Sequence, residues 1–141
     1  MSVTLATVHA DIRSHLGVVP FSAESARVGT RIAMLDAPAR DKAWSIVFGQ
    51  PATTLTAGRL RWVVPVEIHW SSVSGLDEAD SYADAVAFQS SIIEAFLLPP
   101  FDGWTLAGQF TPDAIRHESD EAGLTYLGVL RTTITFTEIR S

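Results

Sequence analysis

Cysteine is missing from all 141 residues, which removes disulfides, thiol nucleophiles and thiolate metal sites together. Lysine is nearly missing as well: Lys42 is the only one. The net charge of −6 argues against a protein that grips nucleic acid, because grip comes from Lys and Arg displacing counterions from the phosphate backbone. Long apolar runs are absent, and none approaches the roughly 18–20 residues that a membrane span requires. The opening MSVTLATVHADIRSHLG has no basic stretch followed by an apolar one, so no secretory signal is expected. Neither GxGxxG nor GxxxxGK[ST] occurs, which leaves no glycine cradle for phosphate. G-x-S-x-G and H-E-x-x-H are also absent. HESDEAG (117–123) is rich in oxygen but lacks the spacing of a calcium loop.

What is present describes a folded domain. Hydrophobic residues make up 47% of the chain and charged residues 18%, the balance of a single globular unit with a real core over 1–141. Charge is uneven along it. Residues 1–61 carry +3 and residues 62–141 carry −9, a polarity that bears on how copies could meet.

Periodicity gives the elements. Leu5, Val8, Ile12 and His15/Leu16 recur at helical spacing over 4–16, and Gly17 stands where a C′ glycine would end that helix. GVVPFSAES (17–25) reads as a loop, then alternation makes ARVGTRIAML (26–35) and AWSIVF (43–48) strands. GQPATTLTAG (49–58) reads as a flexible connector of small residues into a strand at 60–71. Over 72–100, Tyr82, Val86, Gln89, Ile93 and Phe96 form the core stripe of a second helix. Ser74 or Asp77 can cap its start, and Pro99-Pro100 force its end. Asp77, Asp80 and Asp84 then lie opposite that stripe, with Phe88 off the core and nearer the polar side. WTLAGQF (104–110) and AIRH (114–117) are short strands flanking Thr111-Pro112, and ESDEAG (118–123) is a hairpin tip. LTYLGVLRTTITFTEI (124–139) is a long last strand, with Leu124, Tyr126, Leu130, Ile134 and Phe136 on one face and threonines and Arg131 on the other. The order α-β-β-β-α-β-β-β predicts an α+β domain: two layers, a largely antiparallel or mixed sheet with two α-helices on one face.

The strand RWVVPVEIHWSS (61–72) poses the functional question. One face is Trp62, Val64, Val66, Ile68 and Trp70; the other carries Pro65, which cannot donate to a ladder, beside Glu67 and His69. A carboxylate that orients a histidine is a catalytic device, but a pair two residues apart on one strand face is more often structural or interfacial. The last strand, roughly 50 Å long if straight at about 3.3 Å per residue, would bend at Gly128 or overhang. An overhanging edge would invite a second chain.

The helix ending SHLG, the strand RWVVPVEIHWSS, the helix DEADSYADAVAFQSSIIEAFL and the closing strand LTYLGVLRTTITFTEI together resemble the tail terminator (tail-completion) proteins of long-tailed bacteriophages. The resemblance covers nearly the whole chain by architecture, without a catalytic motif. It implies a virion structural protein and no enzyme, cofactor or metal. The implied subunit forms a hexameric ring, assembled in the host cytoplasm, at the head-proximal end of the tail. That ring meets the tail tube protein, ends its polymerisation, offers a surface to the head–tail connector protein and lets DNA pass without specific binding. On this reading the interface residues are Glu67, His69, Leu55 and Phe88, with Arg59 and Arg61 (and Arg27 and Arg31) facing Asp77, Asp80 and Asp84 of a neighbour. The acidic face could instead line the channel. The rival readings are a head–tail connector or minor tail subunit, and a small hydrolase or ligand-binding domain using His69 and Glu67.

Overall fold

The computed structural model describes residues 3–19, 23–24, 42–74, 78–97, 103–120 and 123–139. The strand expected at 26–35, with Arg27 and Arg31, lies outside them, as do Asp77 and Pro99-Pro100.

Helix α1 is Leu5–Leu16. Thr4 caps it, accepting from the Thr7 amide at 3.2 Å, while the Thr7 hydroxyl accepts from the Thr4 amide at 2.8 Å, so two orphan donors are satisfied reciprocally. Val8, Ile12 and Leu16 are its buried stripe. Gly17 does end the helix, but in right-handed geometry (φ −63°), not as a left-handed C′ residue.

The strands are β1 (Ala23–Glu24), β2 (Ala43–Phe48), β3 (Ala52–Thr56), β4 (Arg59–Ser74), β5 (Trp104–Leu106), β6 (Thr111–Pro112), β7 (Arg116–Asp120) and β8 (Gly123–Ile139), with helix α2 (Glu78–Phe96) after β4. The fold is α+β, and helix, strands, helix, strands is the order expected. All eight of the described strands join one sheet. β4 and β8 are its long antiparallel spine, in register from Arg59↔Ile139 to Ser74↔Leu124. β2 and β3 lie end to end along the free side of β4, and β5, β6 and β7 follow one another along the far side of β8. β1, within the stretch expected as a loop, adds a short parallel pairing on β2.

Three expectations fail here. Of the two outcomes expected for the last strand the overhang fails: β8 is an inner strand, because three short strands from 104–120 line its far side, two of them overlapping the stretches expected as strands. Thr111-Pro112 is one of those strands, not a break between them. Nor is 49–58 a connector. Its residues Ala52–Thr56 are β3, and Ala57 (φ +50°) and Gly58 (φ +78°) make a two-residue hairpin turn into β4. Positive φ at both positions is the type I′ turn, whose twist matches the strands it joins. Small polar residues hid this hairpin, since threonine pairs well in a sheet without an apolar alternation to announce it.

Both helices pack on the same face of the sheet, the one bearing Val64, Val66, Ile68, Trp70, Leu130, Ile134 and Phe136. α2 presents Ser81, Ala85, Phe88, Ile92, Ala95 and Phe96 to that core. The stripe expected from sequence is turned by one residue: Tyr82 is 52% exposed and Val86 37%, while Phe88, expected toward the polar side, is buried. The reason is local. Phe88 meets the Trp70 ring edge-on at 5.8 Å, and Gln89 accepts from the Trp70 indole N–H at 3.2 Å, so Trp70 sets the helix rotation.

Gly128 answers to the same ring. It sits opposite Trp70 in the β4–β8 register, and a methyl group there would overlap the indole Cε2, Cζ2 and Nε1 atoms. It is a close approach of backbone to ring.

Candidate functional site

Pro65 has a structural role that its neighbours explain. Its carbonyl accepts from Gly49 N–H at 2.8 Å, on the side of β4 where β2 has ended and β3 has not begun. The N–H and C=O of a strand residue point to the same side, so the missing donor falls at a gap in the ladder.

Glu67 and His69 do meet: His69 Nε2 lies 3.0 Å from Glu67 Oε1. Arg131, opposite Glu67 on β8, pairs with its other oxygen and forks onto Asp113, with Nε and one terminal nitrogen at 3.1 and 2.9 Å. Both Glu67 oxygens are therefore engaged, and a planar guanidinium bridges two carboxylates. His69 is 1% exposed, as buried as the core leucines. Ser45 sits across from it on β2, 0% exposed and with its hydroxyl unbonded. Serine, histidine and glutamate thus share a sheet face, but below the reach of a substrate. An open groove of about 420 Å³ runs beside them between Glu67, Gly108, Thr111, Arg131 and Thr133. Its one cation, Arg131, is already held by two acids.

The outer face of the sheet is therefore divided. At the end holding Ser45, His69, Ser71, Thr125 and Leu127 it is buried. At the other end Arg59, Arg61, Pro65 and Thr137 are exposed. There the β3–β4 hairpin continues as an arm: all five β3 residues are exposed, so neither face of that strand is covered. Leu55, near its turn, is 68% exposed. Among the described residues, nothing pairs with the outer edge of β3. Trp62 stiffens the arm from below, stacked on Phe136 at 5.6 Å with its indole N–H on Glu138.

The acidic helix face separates into two cases. Asp80 is exposed, as expected. Asp84 is not free for a neighbour, because Lys42 Nζ pairs with it while donating to Ser72 Oγ at 2.7 Å and lying 5.6 Å from the Phe88 ring centroid. Phe88, buried under that lysine, is likewise withdrawn from the expected interface. Sequence reading missed the Lys42–Asp84–Ser72 cluster and the Arg131–Asp113 fork. Their bonded partners are 18 to 42 residues apart, and the only signal was that Lys42 stands alone. Among the described residues no group of three metal-ligating side chains forms, and no helix is long and apolar enough to cross a membrane.

No protein-family model and no curated protein matches the chain.

Proposed function

We propose that the protein is the ring-forming terminator of a phage tail: a virion subunit that assembles into a cyclic oligomer, caps the tail tube and presents a docking surface to the head. The observation that carries this reading is the arm. A hairpin whose outer strand is exposed on both faces, with an uncovered edge and Leu55 near its turn, is what a monomer avoids and an assembling subunit uses. In the ring it would contact the tube or a neighbouring subunit through that surface. The acidity of the chain supports passage of DNA without retention.

The hydrolase alternative has less support. His69 is 1% exposed and Glu67 is clamped by Arg131, so the pair reads as a brace between β4 and β8. The test is direct. Purified protein should sediment as a discrete oligomer whose population rises with concentration, and should appear as rings with an open centre in the electron microscope. Added to polymerising tail tube subunits, it should stop elongation and decorate one tube end. A monomer at all concentrations that leaves tube growth unchanged refutes the proposal.

A further inference from the structure

α2 is a surface helix with an unusual outer side. From Ala85 to Ile93 it has no charged residue. Ala83, Val86, Ala87 and Ser90 are nevertheless exposed, as is Leu97 at 43%. A helix that faces water normally carries charge there; one that is apolar or small-residued all round is covered on both sides. The acids of this outer face, Asp80 and Glu94, stand at its two ends, and α2 has no basic residue.

The bare half of the sheet's outer face has the opposite character. Arg59, Arg61, Val63 and Pro65 of β4 share it with Thr133, Thr135 and Thr137 of β8, by the register that pairs them. The arm segment 52–63 contains no acid. At its other end the same face is buried, so the sheet is covered on two sides over half its length and on one side over the rest. The dimensions agree. Tyr82 to Phe96 of α2 spans about 21 Å at 1.5 Å per residue, and Arg59 to Pro65 about 20 Å at 3.3 Å per residue.

We propose that the outward face of α2 of one copy packs on the bare outer face of the arm end of a second copy. Ala83, Val86, Ala87 and Ser90 would lie over the threonines and Val63, with Asp80 and Glu94 beside Arg59 and Arg61. The contact joins two different surfaces, so it propagates head to tail and closes into a ring when the rotation allows. The inference deepens the ring reading and rests on it for self-association.

Two variants at exposed positions test it. Ala87→Arg spoils the helix side and keeps the arm; Arg59→Glu with Arg61→Glu spoils the arm side and keeps the helix. Each alone should be folded by circular dichroism and raise the concentration for half-assembly by about tenfold or more, a loss of at least 1.4 kcal/mol. Mixed in equal amounts, they should form dimers and nothing larger, because one good interface survives per pair. Wild-type rings with both variants assembling equally well would assign these faces to another partner and overturn this inference while leaving the ring. Variants that both fail and do not rescue each other would make each surface meet its own kind, which also overturns it. A monomeric wild type would instead sink the ring reading itself.

Discussion

Gly128→Ala is the sharpest test of how the core is assembled, since it adds one methyl group to a chain of 141 residues. The added carbon falls within the Trp70 indole, which is 0% exposed and cannot swing into solvent. Either the ring moves or β4 and β8 part. Overpacking of this kind costs about 1–3 kcal/mol. A displaced ring also loses its hydrogen bond to Gln89 and its edge contact with Phe88, adding about 1 kcal/mol. The expected loss is about 2–4 kcal/mol, a large share of the roughly 5–15 kcal/mol that holds a domain. Urea unfolding followed by circular dichroism should show the midpoint falling by about 1–2 M at an ordinary slope. Trp70→Leu in the same chain should make room, so the double variant should lose clearly less than the two single losses summed. A Gly128→Ala protein within about 0.5 kcal/mol of wild type, a change ordinary for a surface site, would refute the argument that this glycine exists for the ring.

Four further outcomes are expected. Ala57 holds a left-handed conformation that costs an L-residue roughly 1–2 kcal/mol; Ala57→Asn should relieve part of it and raise the melting temperature by a few degrees, and an unchanged or lower value would argue against the type I′ turn. In hydrogen exchange, the residues of β3 facing β4 across the two-residue turn (Thr56, Thr54) should be protected while Thr53 and Leu55 exchange fast; uniform fast exchange would mean the hairpin does not hold in the free subunit. Lys42→Met should cost about 1–3 kcal/mol, chiefly through the Ser72 hydroxyl it leaves buried without its donor, and a neutral result in a thermal melt would remove the clamp on α2. His69→Ala should destabilise by about 2–4 kcal/mol, as a buried deletion does, and should abolish no turnover; activity lost with stability intact would restore the catalytic reading.

The alternation of helices and strands, the bounds of α1 and β2, and the two faces of β4 and β8 were legible in the order of the residues alone. Each of those rests on a period of two or of 3.6 read against a strong apolar pattern, or on an end marked by a cap. Tertiary structure decided what periodicity leaves degenerate. α2 has apolar or small residues on two adjacent stripes because no charge lies between Asp84 and Glu94, so spacing could not choose its core side; the Trp70 ring did, drawing in Phe88 and turning Tyr82 and Val86 outward. β3 and β6 were illegible for a related reason. Short threonine-rich or proline-containing segments become strands only when a long partner supplies the ladder. The same holds for the charged residues. Their sequence shows sign and spacing, but Arg131 reaches Asp113, and Lys42 reaches Asp84 and Ser72, only because distant strands and a helix are packed together. Which charges are left to meet another molecule is the remainder of that pairing, so it is fixed by the fold.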